Sequence, residues 1–156
     1  MLPSIENLAP EFSLSNQNNE VIRLKDFRGK NNVVVYFYPK ASTPGCTVQA
    51  CGIRDYFQQL KQLNTIVLAI SPDAPLKLKK FDIKYNLNFN LLADEDHSVA
   101  SAYGVWGLKK FMAREFMGII RTSFVIGIDG KLVHIFEKVN TKTHHNDVVD
   151  YIKTAL

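Results

Sequence analysis

The sequence predicts an α/β sandwich, with a central mixed sheet, helices on both faces and an N-terminal β-hairpin. Three observations predict it. Two β-branched and aromatic runs, Asn32–Tyr38 and Thr65–Ile70, read as buried strands. The stretch between them carries a helical period, and strand, long helix, strand in that order make a right-handed crossover with parallel strands. Further on, Thr122–Ile128 and Lys131–Phe136 flank Asp129-Gly130, a tight-turn signal that adds an antiparallel hairpin.

The elements follow in chain order. Within residues 12–23, Phe12-Ser13-Leu14 alternates, Asn16-Gln17-Asn18-Asn19 turns and Val21-Ile22-Arg23-Leu24 returns, the pattern of a small hairpin. After the first long strand, Ile53, Tyr56, Phe57 and Leu60 fall at i, i+3, i+4 and i+7, one face of an amphipathic helix. The second long strand ends at Ser71-Pro72. Asp73 is expected to cap the next helix, Leu76–Tyr85, with Pro75 close to its start. Its buried face is predicted to be Leu76, Leu78, Phe81 and Tyr85, interleaved with Lys77, Lys79, Lys80 and Lys84. Phe89–Leu92 reads as a short strand, and Ser98–Tyr103 as a short helix closed by Gly104. Residues 105–120 are rich in aromatics and Met but lack a clean period. They suit either a loop packed over the core or the wall of a substrate pocket or partner surface. Val148, Val149, Ile152, Ala155 and Leu156 give a final amphipathic helix beginning near Thr143. Without repeats or linkers, residues 1–156 are expected to form one domain of thioredoxin-like architecture.

Composition narrows the function. With 46% hydrophobic and 22% charged residues the chain is an ordinary soluble globular protein. A net charge of +4 without a dense basic cluster argues against nucleic acid or an acidic membrane as partner. The N-terminus, Met1–Glu6, has no basic segment followed by an apolar one, and no apolar run has transmembrane length, so a cytoplasmic protein is expected. In that reducing compartment Cys46 and Cys51 are better read as a transient catalytic pair than as a permanent staple.

The stretch around those cysteines is a strand-to-helix turn. Thr43 is a good N-cap and Pro44 suits the first helical position, which makes Cys46 the third helical residue. A sulfur there meets unpaired backbone N–H groups and the positive end of the helix dipole, which favour the thiolate. Cys51 lies one and a half turns on. In an unbroken helix the two Cα atoms are about 8 to 9 Å apart, whereas a disulfide tolerates no more than about 7 Å. Either the sulfurs never bond directly, or the helix start unwinds when they do; a reactive thiol with a partner just out of reach favours the second.

Pro39-x-x-x-Thr43-x-x-Cys46 resembles the active-site motif of the peroxiredoxins. The wider text, Phe37-Tyr38-Pro39-Lys40, then Thr43-Pro44-Gly45-Cys46-Thr47 and Ala50-Cys51, looks like the bacterioferritin comigratory protein or peroxiredoxin Q subgroup. Ala9-Pro10-Glu11-Phe12, Tyr103-Gly104-Val105-Trp106-Gly107 and Gly118–Phe124 extend the match over nearly the whole chain. The resemblance implies a thiol-dependent peroxidase acting on hydrogen peroxide or organic hydroperoxides. It makes Cys46 the peroxidatic cysteine, Cys51 the resolving one, Thr43 the hydroxyl that helps hold thiolate and peroxide, and Arg121 the guanidinium that completes the site, with Pro39 and Gly45 lining it. It also implies recycling by thioredoxin or a similar dithiol, no metal or organic cofactor, and a monomer. Where the subgroup usually has Glu three residues after the peroxidatic cysteine, this chain has Gln49, which removes a carboxylate that could orient the site.

Arg121 stands out independently, since a charge at the mouth of the apolar run Ile119–Val125 is costly unless paired. Its guanidinium cannot lose its proton and offers several donors in a rigid fork. The competing readings have less behind them. Zinc would have only Cys46, Cys51, His97, His134, His144 and His145, none of the histidines near the cysteines in sequence; His144 and His145 are expected at the surface. A protein disulfide oxidoreductase normally wants Cys-x-x-Cys. A redox-switched binding or chaperone module using residues 105–120 remains the non-enzymatic alternative.

Overall fold

The computed structural model describes residues 1–156. A hairpin of β1 (Ser13–Asn16) and β2 (Val21–Arg23) opens the chain, its turn closed by the Asn16 side chain, whose Oδ1 accepts the N–H groups of Asn18 and Glu20. β3 (Asn32–Phe37) leads into α1 (Pro44–Asp55) and α2 (Phe57–Gln62). These return the chain to β4 (Thr65–Ser71), parallel to β3. α3 (Pro75–Tyr85) makes a second crossover to β5 (Asn90–Ala93), parallel to β4. After the short α4 (Ser98–Ala102) a separate hairpin, β6 (Trp106–Phe111) and β7 (Arg114–Ile119), precedes β8 (Thr122–Ile126), β9 (Leu132–Phe136) and α5 (His144–Ala155). β8 pairs antiparallel with β3. The seven-stranded mixed sheet thus runs β2-β1-β5-β4-β3-β8-β9, the thioredoxin-like sandwich the sequence predicts.

Strand alternation divides the core in two. Val34, Tyr36 and Tyr38 face α1, α2, α3 and α5, joining Cys46, Ala50, Ile53, Leu78, Phe81, Val148 and Val149 in one cluster. Val33, Val35 and Phe37 face the other way, onto α4, the N-terminal segment around Phe12 and the 3-10 turn Leu24–Phe27. Helices therefore lie on both faces, but unequally. Gly104 does close α4: it sits at φ +73°, and a side chain there would strike the Met1 backbone carbonyl.

Several local expectations are corrected. Asp73 does not cap α3. The N-cap is Ala74, and the Asp73 carboxylate is buried, accepting from the Ala41 N–H at 2.7 Å and the Ser71 hydroxyl at 2.9 Å. The helix start is pre-organised instead by the fixed φ of Pro75, at a position where no N–H partner is needed. Leu76 is 67% exposed while Leu78 and Phe81 are fully buried, because residues two apart lie on opposite sides of a helix. The helix after Cys46 is broken at Tyr56, whose N–H reaches back to the carbonyls of Gly52 and Ile53. Residues 105–120 are a hairpin, not a loop. Most of its side chains, including Leu108, Phe111, Met112, Phe116 and Met117, are exposed, so no buried face imposes a period. Its tip uses Met112 and Ala113 at φ 50° and 66° instead of Asn-Gly, which hides the turn.

Candidate active site

The C-terminal end of β3 delivers the chain through Tyr38 and a half-buried Pro39 to a short loop and then to α1. Thr43 is the N-cap residue in extended conformation, φ −80° and ψ 155°, and Pro44 is the first helical residue. The Thr43 hydroxyl donates to the Lys40 carbonyl at 2.7 Å instead of receiving a helix N–H. The first i to i−4 bond of α1 runs from the Thr47 N–H to the Thr43 carbonyl, so the Gly45 and Cys46 N–H groups precede the helical ladder. Cys46, 1% exposed, is the third helical residue, and with Ala50 and Ile53 it forms the buried face of the helix start.

Arg121 comes from the junction of β7 and β8. Ile119 and Thr122, close by along the chain, are buried, and the Thr122 hydroxyl donates back to the Ile120 carbonyl at 2.8 Å. One arm of its fork, Nη2, lies 3.3 Å from Cys46 Sγ; the other, Nη1, donates to Gln49 Oε1 at 2.5 Å. Gln49 thus keeps the orienting contact that its lack of a carboxylate put in doubt, as a charge–dipole pair. Gly45 lies beside the same guanidinium, a β-carbon there falling 3.7 Å from Nη2, in ordinary contact.

Thr43 stands at the N-cap of α1, and Cys46, Gly45 and Arg121 are brought together. Cys51 is not: it is a free, half-buried thiol on the same unbroken helix as the free thiol of Cys46. Five residues of helix hold their Cα atoms about 8 to 9 Å apart.

The expected surface position of His144 and His145 is corrected. α5 packs on α1 and carries His144 inward, 1% exposed, with its ring edge-on to Tyr36 at 5.2 Å. Its Nδ1 lies 3.2 Å from Gln49 Nε2 and its Nε2 2.6 Å from Ser123 Oγ. Burial, then the neighbouring His145 and Arg121, push its pKa down to about 3, so it is neutral. His145 is half-buried against Gly52 and the Tyr56 ring. The contacts of His144 with Gln49 and of His145 with Tyr56 have no local signature, since each joins residues some ninety positions apart. Lys109 on β6 was also missed: burial and then repulsion by Arg121 lower its pKa.

Comparison with known proteins agrees with this geometry. Residues 5–135 match the AhpC/TSA family. The chain is 52% identical over 147 residues to peroxiredoxin Bcp of Escherichia coli, covering 94% of each chain. It is 40% identical over 153 residues to peroxiredoxin Bcp of Bacillus subtilis, covering 98% of this chain and 97% of that one. A solved structure of the Xanthomonas campestris bacterioferritin comigratory protein, studied for its alkyl peroxide reduction activity, superposes with a TM-score of 0.86 at 26% identity, over 92% of this chain and 90% of its own. With a thiol at the start of a helix under an arginine fork, and this likeness along nearly its whole length, the chain belongs to the AhpC/TSA family, among its Bcp-type peroxiredoxins.

Proposed function

We propose that Cys46 is the thiolate that attacks peroxide, that Arg121 and Thr43 hold the reacting oxygens, and that Cys51 resolves the product within the same 156-residue domain. Thiol-dependent peroxide reduction is the activity of the family to which the chain belongs. The observation that carries the residue assignment is the Arg121 fork, which spans Cys46 Sγ and Gln49 Oε1 and so fixes a permanent positive charge over the sulfur.

In the first step the Cys46 thiolate bonds to the nearer peroxide oxygen as the O–O bond breaks. The sulfur becomes a sulfenic acid, and the departing oxygen leaves with the electron pair and takes a proton, as water or an alcohol. Arg121 and the free N–H groups of the first helical turn stabilise the charge on that oxygen. The Thr43 hydroxyl already donates to Lys40, so it offers lone pairs, suited to a peroxide O–H. In the second step the start of α1 unwinds, Cys51 attacks the sulfenic sulfur, and a disulfide forms with loss of water. An external dithiol, of thioredoxin type, restores both thiols by exchange. The likeness to a protein studied for alkyl peroxide reduction supports organic hydroperoxides beside hydrogen peroxide as substrates. A monomer acting in the cytoplasm completes the reading; no helix is long and apolar enough to cross a membrane.

Intact mass and thiol count after one equivalent of hydrogen peroxide test the cycle. Wild type should lose two hydrogens, Cys46→Ser should not react, and Cys51→Ser should stop at a sulfenic acid or an intermolecular dimer. A wild type that keeps both thiols overturns the assignment. The exposed apolar side chains of the β6–β7 hairpin favour the second reading, a binding module. It predicts client binding undiminished in Cys46→Ser.

A further inference from the structure

A glutamine beside an arginine has a problem that a glutamate does not. A carboxylate presents the same oxygen whichever way it turns. An amide presents a carbonyl on one side and an NH2 on the other, at almost equal steric cost, and the NH2 repels a guanidinium. Something must hold the Gln49 carbonyl toward Arg121. Arg121, which can only donate, selects the carbonyl, but it sits partly exposed at a strand junction, and the buried NH2 on the far side of the amide still needs an acceptor of its own.

The hydrogen-bond chain behind Gln49 supplies the missing orientation. Arg121 can only donate, so the atom facing it is the Gln49 carbonyl oxygen. The amide nitrogen then points to His144 Nδ1 at 3.2 Å and must donate. His144 Nδ1 must therefore carry a lone pair, and the ring proton lies on Nε2, 2.6 Å from Ser123 Oγ, which accepts it. Neutrality of the ring agrees with its burial among Tyr36, Gln49 and Ser123. Gln49, His144 and Ser123 are all buried, and each of these donors meets an acceptor. The ring is pinned by three elements: β3 through Tyr36, β8 through Ser123 and α1 through Gln49.

We propose that His144 is a positioning residue for the peroxidase reaction: its unprotonated Nδ1 fixes the Gln49 amide with the carbonyl toward Arg121, and so fixes the guanidinium over Cys46. The proposal rests on the roles given above to Cys46 and Arg121. Replacing the ring's acceptor frees the amide to turn, and the fork loses its second anchor.

The test is a double-mutant cycle on the rate at which hydrogen peroxide oxidises reduced protein, followed by rapid mixing. His144→Phe keeps an aromatic ring but removes the acceptor, and is expected to slow oxidation about tenfold, less than the roughly hundredfold or more that follows losing an oriented donor outright. Gln49→Glu needs no orienting partner, so in its background the same His144→Phe change should cost much less. His144→Asn, which retains a side-chain acceptor, should recover part of the rate. An unchanged rate in His144→Phe, or an equal loss in both backgrounds, overturns the proposal. Failure of wild type to react would instead overturn the assignment of Cys46, a distinguishable result. Should His144→Phe fail to fold, nitrogen NMR of histidine-labelled wild type at neutral pH decides. A proton on His144 Nε2 supports the proposal, and one on Nδ1 overturns it, because the amide would then face Arg121 with its NH2.

Discussion

In the proposed reaction Arg121 concentrates the chemistry in one side chain, and its importance lies in shape as much as in charge. Two nitrogens of one planar group reach two targets on α1, at Cys46 and Gln49. A lysine at the same position keeps the charge but has a single nitrogen on a flexible stem. Arg121→Lys is therefore expected to lower the second-order rate with hydrogen peroxide about a hundredfold, with the thermal midpoint little changed; stopped-flow kinetics beside a melting curve checks both. A rate within threefold or so of wild type would mean that charge alone suffices and the fork geometry is incidental. At this scale the sequence was informative wherever chemistry leaves a local mark. Thr43, Pro44 and Cys46 are neighbours along the chain, and the cap, the first helical position and the thiol can be read from their order. Arg121 stood out because a charge in an apolar run needs a partner. His144 and Ser123 left no such mark, since a histidine at the start of an amphipathic helix looks the same whether it faces water or a strand.

The contact of α1 with α5 is the element on which this site depends. Gly52 is buried on α1, and a β-carbon there would lie 2.3 Å from His145 Nδ1 and 2.9 Å from its ring carbon Cγ. The imidazole lies so close that no side-chain volume fits. Gly52→Ala should force the two helices apart and cost about 1 to 3 kcal/mol, measured as a fall in the denaturation midpoint. The displacement should also reach His144, one residue away, and slow peroxide reduction. An alanine variant as stable as wild type would show that His145 simply swings aside. Element boundaries followed from the sequence where burial imposes a pattern, on both faces of β3 and β4 and on one face of α5. They did not where the faces are open. The β6–β7 hairpin exposes most of its side chains and turns on Met112-Ala113, so neither period nor turn chemistry announced it. Asp73 was misplaced for a related reason, its carboxylate being used across space by Ala41 and Ser71 rather than along its own helix.

For the whole molecule, the neutral His144 ties stability to pH. In the unfolded chain its imidazole takes up a proton near its ordinary value of 6.5; folded, it does so only near 3. Between those values the unfolded state binds the extra proton, so stability rises with pH in that window. The contribution is intact above about pH 6.5, falls by up to about 1.4 kcal/mol per unit as the pH drops, and levels off below about pH 3. Denaturant titrations at a series of pH values should show this slope in wild type and a shallower one in His144→Asn; equal slopes would mean that the ring is protonated in the fold. The position of Gln49 has a last consequence for turnover. It lies between Cys46 and Cys51, inside the stretch of α1 that the proposed disulfide would unwind. On the proposed cycle, forming the disulfide would therefore also withdraw Gln49 from Arg121. The oxidised enzyme would disarm itself: with its thiol consumed it would release the clamp that grips another peroxide, and re-arm only once a reductant had let the helix wind again. Catalysis would then work as a ratchet, advanced by the coiling and uncoiling of a single turn.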